Sequence, residues 1–252
     1  MKNVKLIMMF CFIGLISLGC ASTQQQEREL ENQRTRARAH TDLGAVYFQQ
    51  KQWEIALEEF TQATKIDPSF SSAFNGLGMV NAELGKDDIA ESNFRKSIQL
   101  DTSNSEAHNN YGGFLCARNR VDESIKEFLD AVKNPLYATP SMAYTNAAIC
   151  SIRKQNVLGA EKFLQQALLI DPLSKTAAYQ LALLQYNRND VVDAKKTLQN
   201  VMLGQPGPEV LLLAVKIERA VGSRDAEASY ALQLRRKFPD SEQTKLLQNG
   251  GE

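Results

Sequence analysis

The chain repeats itself with a period of about 34 residues, and a period of that length leaves few folds open. "KIDPSF" at 65–70 is echoed by "QLDTSN" at 99–104, so Asp67 and Asp101 stand one period apart. "LIDPLS" begins at Leu169, and Asp171 lies two periods and two places beyond Asp101. Pro172 and Pro206 are again one period apart. A unit this short holds one supersecondary element and cannot bury its own apolar face, so neighbours must stack to make a continuous core. Composition says which element it is. Only 14 Gly and 7 Pro occur in 252 residues, and Ala, Leu, Gln, Glu and Lys dominate. These are helix formers, and alternating strands bounded by glycine are hard to find, so the chain reads as all-α.

Within each period the same residue types recur. The first unit, 37–70, carries Leu43, Gly44, Tyr47, Ala56, Phe60, Ala63 and Pro68; the second, 71–104, carries Leu77, Gly78, Ala90 and Phe94, with Ser97 and Thr102 replacing the small and proline positions. The third, 105–138, has Tyr111, Gly112, Ser124, Phe128 and Ala131, and two extra residues follow around "LYATPS". The fourth, 141–174, has Ala147, Ala148, Ala160, Leu164, Ala167 and Pro172; the fifth, 175–208, has Leu181, Ala182, Ala194, Leu198 and Pro206. A sixth, 209–240, is weaker, with Val215, Ala228 and Leu232, and 241–252 reads as a C-terminal tail. Small residues let paired helices approach, and large ones fill the space between them. This is the pattern of tetratricopeptide repeats. The expected fold is a right-handed superhelical solenoid of about six helix hairpins with an extended concave face.

Charge and motifs narrow the function. Lys+Arg and Asp+Glu are equal at 29 each, so no basic field argues for nucleic acid. His40 and His108 are the only histidines and read as structural. No HExxH, GxSxG, Walker or GxGxxG motif occurs, and the paired acids Glu58-Glu59 and Asp122-Glu123 read as solvated helix faces. No enzyme, cofactor or metal site is expected, and the chain is expected to be a monomer.

The N-terminus reads "MKNVKLIMMFCFIGLISLGCAST". Lys2 and Lys5 precede an apolar run from Leu6 to Leu18 that is too short to span a membrane, so residues 1–19 read as a signal peptide. The run closes in Leu18-Gly19-Cys20, which resembles the lipobox of bacterial lipoproteins, with Ser17 where that pattern prefers Leu. The resemblance implies lipidation at Cys20, and Ala21 in place of Asp implies sorting to the outer membrane, on its periplasmic face. Several acyl chains on one residue hold a protein on a membrane where a single chain is marginal. Residues 20–36 are polar, lack an apolar stripe, and read as a lipidated cysteine and tether with nascent helix.

Repeats of this class bind peptides along the concave face lined by each unit's first helix. The groove positions carried over from the class are Thr41, Ala45 and Phe48; Asn75, Met79 and Ala82; Asn109, Gly113 and Cys116; Thr145, Ile149 and Ile152; Tyr179, Leu183 and Tyr186; and Leu213, Ile217 and Ala220. The expected partner-binding set is Phe48, Asn75, Met79, Asn109, Gly113, Ile149, Tyr179, Leu183, Tyr186 and Ile217. Inter-repeat core is an equal reading for Ile149, Leu183 and Ile217, because periodicity does not separate core from groove. A carboxylate clamp of Lys and Asn is excluded by Thr41 and Ala45, and an apolar trough suits an amphipathic helix or an extended hydrophobic segment. Gly112 is the small packing residue of its repeat, and Gly113 beside it is expected to clear a notch in the groove. Cys116 and Cys150 fall on first helices of adjacent units. An oxidising compartment permits a disulfide, and buried free thiols are the preferred reading.

Leader, tether and six repeats resemble the PilF/PilW family of type IV pilus biogenesis lipoproteins. "NNYGGFLC" in the third repeat and "SYALQLRRKFPDS" at 229–241 carry the match best. The resemblance implies a pilotin, which binds the outer-membrane secretin subunit of the pilus machine and promotes its localisation or multimerisation without chemistry. The alternative is a general outer-membrane scaffold lipoprotein that organises peptidoglycan-remodelling enzymes.

Overall fold

The computed structural model describes residues 2–202 and 204–250, with side chains from Gln24 onward apart from Asn200. The side chains of Cys20 and the rest of the leader therefore lie outside the described residues. Among the described residues the chain is helical throughout, with no strand. The order is α1 (Lys2–Gln49), α2 (Trp53–Ile66), α3 (Ser71–Glu83), α4 (Asp87–Leu100), α5 (Ser105–Ala117), α6 (Val121–Ala131), α7 (Pro140–Arg153), α8 (Val157–Ile170), α9 (Lys175–Asn187), α10 (Val191–Met202), α11 (Pro208–Ala220), α12 (Arg224–Lys237) and α13 (Glu242–Gln248). Two compact units divide the chain after Tyr111, inside α5.

The backbone carries the period as plainly as the side chains do. Each hairpin turn between a first and a second helix holds one residue in the left-handed region: Lys51, Gly85, Asn119, Gln155, Asn189 and Gly222. At each turn the following residue's N–H reaches back to a carbonyl five residues earlier, as in Gln52 to Tyr47 and Asn156 to Ser151, both 2.9 Å. That bond closes the helix end and satisfies a carbonyl the helix leaves unpaired. Three of the links between hairpins use aspartate instead. Asp67, Asp101 and Asp171 accept from the backbone N–H two residues on, at 2.8, 2.9 and 3.1 Å. The repeated Asp is thus a turn-former, and Thr102 can replace the neighbouring proline because the aspartate holds the bend.

In the first unit, Phe60 fills the space against Ala56, Leu77 and Val80. In the second unit successive clusters form around Phe128, Leu164 and Leu198, and around Leu211, Val215 and Leu234. Helix pairs approach where glycine leaves room. A Cβ at Gly44 would lie 2.9 Å from the Phe60 ring, one at Gly78 2.7 Å from Phe94, and one at Gly112 2.8 Å from Phe128. Gly112 is therefore the packing residue expected of it, whereas a Cβ at Gly113 would meet nothing within 4 Å.

Two expectations need correction, and a third is sharpened. Cys116 and Cys150 form a disulfide that ties α5 to α7, with Cα atoms 5.8 Å apart, so they are not free thiols. Stacked first helices bring the two side chains within bridging range, which spacing alone left open. In residues 24–36 the helix is continuous within α1 rather than nascent, with no glycine or proline between Gly19 and Gly44 to interrupt it. The expected tail contains α13, whose N-terminus is capped by the Ser241 hydroxyl accepting from Thr244 N–H at 3.2 Å. Leu247 of α13 joins Leu211, Val215 and Leu234, so the chain closes its last repeat with its own helix.

Candidate partner-binding site

The first unit holds a cavity of about 580 Å³ lined by α1, α3 and α5, with Phe60 of α2 and Phe70 of the following link. One stripe of α1 faces it, with Arg34, Arg38, Thr41, Asp42, Ala45 and Phe48 at helical spacing. Asn75, Gly76 and Met79 come from α3, and Glu106 and Asn110 from α5. Gly76 has no side chain because a Cβ there would run into the Phe60 ring, which forms part of the wall. The Asn110 amide donates to Asn75 Oδ1 at 3.3 Å and stands 3.3 Å from Met79 Sδ. Phe48 is half-buried and leans on Trp53, ring centroids 5.0 Å apart. Thr41 donates its hydroxyl back to the Ala37 carbonyl at 2.9 Å, so its own helix already satisfies it. Neither Arg34 nor Arg38 forms an ion pair among the described residues, although both are exposed on this face.

The expected groove residues separate into groups. Phe48, Asn75 and Met79 share this one cavity. Asn109 is buried on α5, 7% exposed, and Gly113 one turn later is exposed. Ile149 is half-buried on α7. Tyr179, Leu183 and Tyr186 pack, partly exposed, on the core cluster around Leu198. Tyr179 also lines a smaller cavity of about 290 Å³ with Pro206 and Val210. Burial, and then the nearby Glu209 carboxylate, hold its phenol above the ordinary tyrosine range. Ile217 does not line a groove: it is 1% exposed and sits among Leu213, Ala214 and Leu198. The sixth unit is out of phase with the repeat, since α11 opens at Pro208, one place short of a full period after the Lys175 that opens α9, and this turns Ile217 inward.

Sequence reasoning missed Arg34 and Arg38. Both precede or open the first repeat, where the repeat pattern names no groove position. The signal was present: 34, 38, 41, 45 and 48 continue one helical stripe upstream of the repeat. A cavity of about 590 Å³ in the other unit is lined by Thr145, an expected groove position, together with Thr139, Ser141 and Thr176, which the repeat pattern does not name. The histidines are structural in their contacts. His40 Nδ1 lies 2.7 Å from Glu59 Oε2, and His108 Nε2 lies 3.3 Å from the Thr102 carbonyl.

Helix hairpins in tandem, left-handed turns at every repeat and packing glycines define a tetratricopeptide-repeat protein, and the model of that repeat family matches residues 44–85. The type IV pilus assembly protein PilF of Pseudomonas aeruginosa is 29% identical over 228 residues, covering 88% of this chain and 90% of that protein. The solved structure of the Pseudomonas aeruginosa protein superimposes with a TM-score of 0.76 at 27% identity, over 87% of this chain and 99% of that one. The crystal structure of PilW, described as a widely conserved type IV pilus biogenesis factor, gives 0.73 at 29% identity, over 84% and 97%. Along most of its length the chain is thus similar to PilF and PilW, two type IV pilus biogenesis proteins built on the same repeat.

Proposed function

We propose that the protein is a pilotin: anchored to the outer membrane through an acylated Cys20, it binds the secretin subunit of the pilus machine and promotes its localisation or assembly. The observation that carries this reading is the likeness to PilF along 88% of the chain, joined to a leader that closes in Leu18-Gly19-Cys20. The Cys116–Cys150 disulfide supports export, because such bonds persist in oxidising compartments. The repeats act by binding, and no step of bond chemistry is assigned to them.

Cys20→Ser tests the reading. Membrane fractionation should find the variant outside the outer membrane, and heat-stable secretin multimers should fall or be misplaced. Unchanged fractionation, multimers and pili would overturn it. Co-purification from detergent-solubilised membranes separates this role from that of a general scaffold, because the pilotin captures secretin and the scaffold captures peptidoglycan-remodelling enzymes.

A further inference from the structure

We propose that the cavity of the first unit takes an extended internal peptide segment with one acidic side chain, gripped by Arg34 and Arg38, and an apolar side chain seated on Phe48 and Met79. The inference rests on the reading of the chain as a protein-binding pilotin and says which kind of segment the site accepts.

Arg34 and Arg38 stand one turn apart on the same face of α1. Such pairs are neighbours, and two guanidinium forks at that spacing match the two oxygens of a carboxylate. Both line the cavity, and neither is neutralised by an ion pair among the described residues. The repeat period sets how charge runs across the site. Arg38, Ser72 and Glu106 hold the same position in three successive first helices, one period apart each time. Charge therefore reverses from α1 to α5, and Asp42 lies one turn beyond Arg38 along α1. A carboxylate is welcome at the arginine end alone, and a second acid on the segment meets Asp42 or Glu106.

The apolar end lies further along α1. Arg38 to Phe48 is ten residues of helix, roughly 15 Å at 1.5 Å per residue. An extended chain at about 3.3 Å per residue covers that in about four or five residues. The accepted segment thus carries its acid and its apolar residue at that spacing. A side-chain carboxylate, rather than a chain terminus, is the chosen source, and the capped peptides below distinguish the two.

The test uses the detergent-purified full chain and fluorescence anisotropy with acetylated, amidated twelve-residue peptides. Each carries a Leu-Phe pair, with Asp, Asn or Lys four residues away, or with Asp on both sides. The single-Asp peptide should bind about tenfold tighter than the Asn peptide, and the Lys and double-Asp peptides more weakly than the single-Asp one. In Arg34→Gln/Arg38→Gln the Asp preference should vanish while the Asn peptide binds as before and the melting temperature holds. Arg36→Gln, at an exposed arginine outside the cavity, should leave the preference intact. Equal binding of Asp and Asn peptides, a preference that survives the double variant, a loss caused equally by Arg36→Gln, or binding only of a peptide with a free terminal carboxylate would each overturn the proposal. The pilotin reading is judged separately, by secretin multimers in Cys20→Ser cells, so either can fail alone.

Discussion

The early repeats and the later ones solve the same packing problem with different pairs. In the first three, glycine on the first helix faces phenylalanine sixteen places on: Gly44 with Phe60, Gly78 with Phe94, Gly112 with Phe128. In the fourth and fifth, alanine faces leucine at the same separation: Ala148 with Leu164 and Ala182 with Leu198, all buried. What one side of the pair gains in volume, the other gives up. A small residue on one helix opposite a large one on the other is the constant, and the two trade atoms across the interface. The change occurs across the longest link of the repeat region, residues 132–139 between α6 and α7, against the shorter links at 67–70 and 171–174. α6 is also short, at 11 residues where α2, α4 and α8 have 14. The disulfide spans this point and ties the last Gly–Phe repeat to the first Ala–Leu repeat.

Removing that tie should break the comparison most. Cys116→Ala/Cys150→Ala opens a loop of 34 residues, and the chain-entropy cost is about 3–4 kcal/mol. Denaturant unfolding of the variant, set beside the wild type with and without reductant, measures it; an unshifted midpoint would mean that stacking alone holds the junction. Next comes Gly112→Leu. Its side chain must displace the Phe128 ring, at about 3 kcal/mol. Helical content should persist while the melting temperature falls.

A double-mutant cycle sharpens the volume trade itself. Gly78→Ala crowds Phe94, and Phe94→Leu leaves a void, so each alone should destabilise by about 1–2 kcal/mol. Together they import the Ala–Leu pair of the later repeats, and about 1 kcal/mol should return as coupling. Strict additivity would show that the pairs are not interchangeable. Turn residues offer a smaller effect of opposite sign. Gln155 holds φ at 61° where Gly85 and Gly222 stand in other repeats. Gln155→Gly should stabilise by about 1 kcal/mol, since glycine takes the left-handed region without a Cβ clash. Thermal melting reads this as a rise of about 2–4 °C. Smallest is Gly113→Ala, which should add about 0.5–1 kcal/mol because the new methyl enters open space on a helix. The two neighbouring glycines would then respond with opposite signs.

The PilF/PilW likeness, the all-helical class and the repeat spacing were legible in the sequence, because a fixed period and small–large pairs sixteen apart are one-dimensional facts. Helix ends were legible too, through Asp67, Asp101 and Asp171, whose side chains bond to their own near neighbours. Local chemistry survives projection onto the chain. The candidate site survived less well. Phe48, Asn75 and Met79 were found by repeat position and do share a cavity. Arg34 and Arg38 were passed over because the repeat template names no groove position before Thr41, while the stripe of α1 that lines the cavity begins upstream of it. Ile217 matched the template and is core, since a one-residue shortening before α11 rotates it inward.

Pattern along the chain thus sufficed for what depends on near neighbours: helix, turn, period and the identity of each packing pair. Three outcomes required the folded molecule. The Cys116–Cys150 bond depends on how two helices stack. The closing role of α13 depends on an apolar face left open by the last repeat, which Leu247 covers. The difference between Gly112 and Gly113 depends on which side of α5 meets Phe128, a matter of about 100° of rotation per residue, and only packing against a second helix assigns one glycine to the core and the other to open space.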